Sequence, residues 1–283
     1  MPEASKSFTA QRRYSGFLLL ILLGTPVLLL LAGSIFFFSH RDALLDFENK
    51  IGSISNNTLL YDYRGRPFRS LKGLESREIL SLSDFSRELQ LSVLAAEDSR
   101  FFQHRGVDLL RIFGAIWANL LSGSFRQGAS TITQQLARTV FLSQDRTITR
   151  KLKEAALAMK LERQLSKKQI LEQYLNYVYL GSGAYGVADA AWVYFSKAPD
   201  QLTVPEAAMI AGLPPAPSIY SPLVNPDLAR ERRSIVLDRM AQAGFISSSE
   251  AESGRNSPLG LKPATPKYFN SAAPYFTTWI AQE

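Results

Sequence analysis

Residues 146–162 read RTITRKLKEAALAMKLE, and how this stretch folds decides the class of the whole chain. Ile148, Leu152, Ala155, Ala156 and Met159 recur at helical spacing, which predicts an amphipathic helix with that face turned to a core. Arg150, Lys151 and Glu154 fall off the face, with the two cations four and three residues before the glutamate, the spacing at which helix neighbours pair. A glutamate flanked by two cations suits a site that binds a diphosphate. The plainer alternative is a salt-bridged stripe facing solvent.

Similar patterns continue on both sides. Helices are expected over Leu89–Ala96, running into Glu97 and Asp98, and over Asp108–Leu121, with Asp108 as N-cap. Others follow at Thr131–Phe141, Arg146–Leu165, Lys167–Tyr177, Tyr185–Phe195, Pro205–Ala211 and Pro226–Ala243. Strand signals after Phe85 are sparse, so the body reads as one mainly α-helical domain over residues 87–246. Before it, residues 40–86 form a mixed juxtamembrane region in which Arg64, Gly65 and Arg66 mark the turn of a small hairpin. SGSFRQGAS, at 122–130, reads as a loop. Residues 247–283 turn to Ser, Gly and Pro and read as a linker.

The chain has 283 residues, a formal charge of +7 and no cysteine. It therefore has no disulfides and no thiolate chemistry. Its only histidines are His40 and His104, which argues against a histidine-rich metal site. The positive charge points to an anionic partner without choosing among nucleic acid, acidic lipid and a phosphorylated substrate.

Residues 14–39 carry no formal charge and are dense in Leu and Phe. At about 1.5 Å per residue, such a helix spans roughly 30 Å of hydrocarbon. Lys6, Arg12 and Arg13 precede it, so the positive-inside rule puts residues 1–13 in the cytoplasm and everything after Ser39 outside. No small-residue cleavage site follows cleanly, which favours an uncleaved anchor over a signal peptide.

Three further stretches carry chemistry. In LAAEDSRFFQHRG, Leu94–Gly106, an acidic pair ends an apolar helix beside two aromatics, and a carboxylate desolvated there gains basicity; the plainer reading, which spacing alone favours, makes Glu97 and Asp98 solvated helix-end residues. In RQGASTITQQLART, Arg126–Thr139, Ser130, Thr131 and Thr133 can cap a helix whose free N–H groups suit a phosphate; the plainer reading leaves Gln134 and Gln135 in water. In Lys167–Phe195, Asn176 with Gly181, Gly183 and Gly186 would shape a site floor. VPEAAMIAGLPPAPSIYSP, Val204–Pro222, is packing and helix termination.

Taken in order, these five segments resemble the signature motifs of the family 51 peptidoglycan glycosyltransferases, the glycan-polymerising domain of class A penicillin-binding proteins. The resemblance spans roughly Phe85–Phe245. It implies a lysozyme-like fold with a membrane-embedded region, working on the outer face of the bacterial cytoplasmic membrane behind one transmembrane helix. Glu97 would be the general base that deprotonates the 4-hydroxyl of lipid II, and undecaprenyl pyrophosphate would leave with inversion. Glu154 would be the second glutamate, at the donor site, with Arg150 and Lys151 on the diphosphate. Ser130, Gln134, Gln135 and Arg138 fall in the donor motif, where Arg138 replaces the usual lysine. Asp98, Phe101, His104 and Asn176 complete the expected substrate-binding set.

The implied partners are lipid II, the nascent glycan strand and the membrane, with other cell-wall synthesis proteins as further candidates and no nucleic acid. No cofactor is obligatory; a divalent cation, Mg2+ or Mn2+, suits a diphosphate chemically. No serine is followed three positions later by lysine and no KTG occurs. KYFNSAAPYFTTWIAQE nevertheless resembles the lead into a transpeptidase, so the chain is expected to be the first part of a bifunctional protein, with a single-function transferase as the alternative. The rival readings are a lytic transglycosylase and a non-catalytic cell-wall scaffold.

Overall fold

The computed structural model describes residues 58–61, 67–71, 79–122, 130–141 and 148–265. The expected membrane anchor, the hairpin turn at Arg64–Arg66 and most of the loop at 122–130 lie outside these residues. Among those described, no helix is long and apolar enough to cross a membrane.

Strands β1 (Thr58–Tyr61) and β2 (Pro67–Leu71) pair antiparallel, Thr58 opposite Leu71 and Leu60 opposite Arg69, with the register shifting between Leu60 and Tyr61. All other regular structure among the described residues is helical. The α-helices are α1 Arg87–Glu97, α2 Leu109–Ser122, α3 Ile132–Phe141, α4 Ile148–Gln164 and α5 Lys167–Tyr177. They continue as α6 Gly186–Phe195, α7 Val204–Ala211, α8 Pro217–Tyr220, α9 Pro226–Gln242 and α10 Ser248–Asn256. The expected boundaries of α1 to α7 and α9 hold to within a few residues.

The core centres on α7. Its run from Glu206 to Ala211 is buried on every face, the mark of a helix enclosed by others. Pro205 in the first turn and a capping box between Thr203 and Glu206 start it. α1 and α9 pack around it, contributing Leu89 and Val93 from one and Val236, Leu237 and Met240 from the other. A second layer joins α3 to α4 and α5. The start of α6 must be Gly186: its φ is +79°, and a Cβ there would lie 2.5 Å from the Asn176 carbonyl oxygen.

Two expectations are corrected. α4 turns its other face inward. Leu152 and Met159 are 52% and 45% exposed, whereas Leu157, Ala158 and Leu161 are buried together with Glu154. Both sets satisfy a helical period, so periodicity alone does not choose between them. The inward face is approached closely by Gly106, where an added Cβ would lie 2.8 Å from the Ala158 carbonyl oxygen.

The region after Ser247 also departs from a linker. Ser247 and Glu250 form a capping box that starts α10, a helix with only Ala251 and Gly254 buried. Gly254 fits against Leu237. The chain then returns along α6, where Lys262 and Ala264 donate backbone N–H groups to the Tyr194 and Val193 carbonyls at 2.9 and 3.0 Å. Arg233 of α9 is fully buried and donates to the carbonyls of Arg255, Ser257 and Pro258, which fixes the turn.

Candidate active site

The site gathers where α1 ends and α3 begins. Glu97 is the last residue of α1 and is 8% exposed. Its Oε2 accepts a 2.5 Å hydrogen bond from Gln135 Nε2 in the first turns of α3. Gln135 is itself oriented, because Tyr174 of α5 donates its hydroxyl to Gln135 Oε1 at 3.3 Å. Burial pushes the Glu97 carboxyl above its ordinary pKa. The bond from Gln135 and the charges of Arg232, Arg111 and Arg239 oppose that rise without cancelling it. Burial, reinforced by the Glu97 charge, also drives the Tyr174 hydroxyl well above its usual value, so the phenol stays a donor.

Asp98, the C-cap of α1, has no exposed surface. Its Oδ2 accepts from the Ile132 amide at 3.1 Å and lies 2.9 Å from His104 Nε2, which ties α1 to the start of α3. Phe101 is fully buried with Lys167 Nζ 4.3 Å above its ring. The side chains of Asp98, Phe101 and His104 are thus all buried, close to the end of α1 that carries Glu97. Asn176 is buried elsewhere: its side chain exchanges hydrogen bonds with the backbone of Leu80 at 2.9 and 3.0 Å and so clamps that segment to α5.

Three amides at the start of α3 are engaged. Thr131 N–H donates to Gln134 Oε1, Ile132 N–H to Asp98, and Gln134 N–H to Thr131 Oγ1. This reciprocal cap buries Gln134, and Gln135 is buried beside it, so neither faces water. Positive charge therefore comes from side chains rather than from free helix amides. Lys151 Nζ donates to Glu154 Oε2 at 2.6 Å and to Ser130 Oγ at 3.0 Å, and Arg150 Nε lies 3.1 Å from Glu154 Oε1. Glu154 is wholly buried while Lys151 is 46% exposed, so the open-stripe alternative for this trio does not hold. Arg138 lies in the last turn of α3, partly exposed, where its charge reaches Tyr174.

Sequence reasoning missed the arginines on the far side of Glu97. Arg111 of α2 and Arg239 of α9 each donate at 2.6 Å, to the Glu97 and Ala96 carbonyls respectively. They line a cavity of about 320 Å³ together with Ala96, Ser99 and Gln242. The run RERRSIVLDR, 230–239, carried a signal in its charge, but only tertiary packing aims it at α1.

Fold and site together give a helical body with two buried glutamates near one helix start, one of raised basicity and the other clasped by two cations. The comparisons with known proteins agree. The transglycosylase family profile matches residues 64–241, and the chain belongs to that family. It is 48% identical over 210 residues to penicillin-binding protein 1A of Escherichia coli K12, covering 74% of this chain and 25% of that protein. It is 38% identical over 266 residues to penicillin-binding protein 1F of Bacillus subtilis 168, covering 93% and 36%. A solved penicillin-binding protein 1A from Haemophilus influenzae aligns at 25% identity with a TM-score of 0.43, over 80% of this chain and 24% of that one. The chain spans about a quarter of the length of the penicillin-binding 1A proteins it matches.

Proposed function

We propose that this chain is a peptidoglycan glycosyltransferase that joins lipid-linked disaccharides into glycan strands. The observation that carries the reading is the contrast between its two buried glutamates. Among the described residues, the Glu97 carboxylate accepts a hydrogen bond from a neutral amide alone and has raised basicity; Glu154 holds two cations at 2.6 and 3.1 Å.

Glu97 takes the proton from the 4-hydroxyl of the acceptor sugar as that oxygen attacks the anomeric carbon of the donor. The C–O bond to the diphosphate breaks with inversion, and the bond's electrons leave on undecaprenyl pyrophosphate. Lys151 and Arg150 meet the growing negative charge of that leaving group, and Ser130 steadies Lys151 from the α3 side. Glu154 aims both cations.

The same reading places a lysozyme-like catalytic body outside the bacterial cytoplasmic membrane, anchored through residues 14–39 with the N-terminus inside. Lipid II, the growing strand and the bilayer are its partners. A divalent cation, Mg2+ or Mn2+, suits the diphosphate of the substrate and would be carried to the site by it.

The test is lipid II polymerisation by the detergent-solubilised chain beside Glu97→Gln and Glu154→Gln. Polymer from the wild type that is lost in the Glu97 variant supports the assignment. Cleavage of existing glycan would make the chain a lytic transglycosylase, and no turnover of either substrate would make it a scaffold.

A further inference from the structure

We propose that Arg111 is a positioning residue for Glu97, fixing the peptide that carries the base and tying its aim to the seating of α2. The inference rests on the glycosyl-transfer reading above.

The last carbonyls of a helix have no partner within it. In α1 two of them are met by guanidinium groups: Ala96 O by Arg239 and Glu97 O by Arg111. The Arg111 bond matters more for the base, because it acts on the peptide unit between Glu97 and Asp98. The N–H end of that unit donates to Leu94 O at 3.0 Å, and its C=O end accepts from Arg111 Nη1 at 2.6 Å. With both ends held, the peptide plane cannot rotate, and the direction in which Glu97 leaves the backbone is set. The same Nη1 lies 3.9 Å from Asp98 Oδ1, so one guanidinium spans the two acidic neighbours.

α2 has few other holds on the body. Among its described side chains only Ala115 is buried, while Leu109, Leu110, Phe113 and Trp117 are more than half exposed. Asp108 caps its start and pairs with Arg100. Arg111 points the opposite way from the exposed face, into the end of α1. A shift of α2 therefore reaches Glu97 through this side chain first.

Arg111 also adds positive charge near the carboxylate. The other groups facing Glu97 are Gln135 of α3, Tyr174 of α5, Arg232 and Arg239 of α9, and Asp98 beside it. Glu206 of α7 is engaged by Lys197. Removing Arg111 takes away one influence that favours the ionised base, so the acid limb of the rate profile moves to higher pH.

The experiment measures initial rates of lipid II polymerisation against pH and substrate for the full chain, Arg111→Gln and Arg111→Lys, with thermal unfolding as a check on folding. Arg111→Gln is expected to lose about 10- to 100-fold in kcat, the scale of a misplaced catalytic group, with KM within about twofold and the acid limb shifted upward. Arg111→Lys, which keeps the charge and one donor, should return the limb to its wild-type position and recover most of kcat. A rise in KM with kcat unchanged would make Arg111 a substrate ligand and overturn the proposal. So would an equal loss in both variants with the acid limb unmoved, or wild-type behaviour in Arg111→Gln. Should Arg111→Gln unfold, the Lys variant decides by the same two readouts. An inactive wild type would instead refute the glycosyl-transfer reading.

Discussion

Replacing Gln135 by Glu changes the partner of the proposed base while keeping its shape. In the native site the amide Nε2 donates to Glu97 Oε2 at 2.5 Å, and Tyr174 fixes which end of the amide faces the carboxylate. A second carboxyl at that distance cannot be ionised together with the first, so the pair holds a proton between them. Glu97 is then blocked as a base until the pH rises far enough to remove that proton. The lost interaction is a hydrogen bond to a charged group, worth about 1.5–3 kcal/mol, which corresponds to roughly 10- to 150-fold in rate near neutral pH. Initial polymerisation rates from pH 5 to 10 should show the acid limb displaced upward, with activity returning on the alkaline side. Gln135→Leu removes the donor without adding a charge, so its displacement should be smaller and in the same direction. An acid limb that stays in place in both variants, whatever the absolute rate, would refute the reasoning that Gln135 tunes Glu97.

Further outcomes follow from the same geometry. Glu97→Gln should be more stable than wild type at neutral pH. The folded carboxyl is raised above its ordinary 4.5 by burial, so its stabilising effect is present below that pH and is lost as pH rises through the folded value. The Tm advantage of the variant, about 2–4 °C for each kcal/mol relieved, should accordingly vanish below pH 4.5. Gly186→Ala places a methyl 2.5 Å from the Asn176 carbonyl at a φ of +79° and should cost roughly 2 kcal/mol or more in denaturant unfolding. Deleting the chain after Ser247 strips buried Arg233 of its carbonyl partners and uncovers Leu237, a loss of about 3–5 kcal/mol on the scale of a buried charge left alone.

The helices were legible because caps and breakers sit at their ends. Ser166 with Gln169, Pro205 behind Thr203, and Pro226 mark starts that the structure keeps. Which face turns inward was not legible in α4. Its mean composition is polar, and two helical faces each carry enough apolar residues to satisfy the period. The pairing of Arg150, Lys151 and Glu154 could be read from spacing, but the burial of the glutamate could not, because it depends on α3 and α5 closing over it. The tail after Ser247 misled for a related reason: α10 buries only Ala251 and Gly254, so composition resembles a linker while the capping box specifies a helix. Long-range contacts such as Arg111 on Glu97 and Asn176 on Leu80 leave no trace in local sequence.

In the proposed mechanism the two glutamates take different tasks according to what touches them. A carboxylate that must accept a proton is best left without a cation in direct contact, since a cation would favour the ionised form and weaken it as a base. Among the described residues Glu97 meets that condition: its side-chain hydrogen bond comes from an amide, and Arg111 and Arg239 reach backbone carbonyls. A carboxylate that must hold cations for an incoming diphosphate needs the opposite surroundings. Glu154 has them, with Lys151 and Arg150 on separate oxygens and one net positive charge left over for the trio. Because Lys151 is also bonded to Ser130, the second site is fastened to the start of α3, the helix that presents Gln135 to the base. On the proposed mechanism, the position of α3 sets the proton-accepting and charge-stabilising halves of the site together. A change that moves α3 should impair both halves at once, whereas Lys151→Ala should spare the pH dependence of Glu97 and weaken only the leaving-group half.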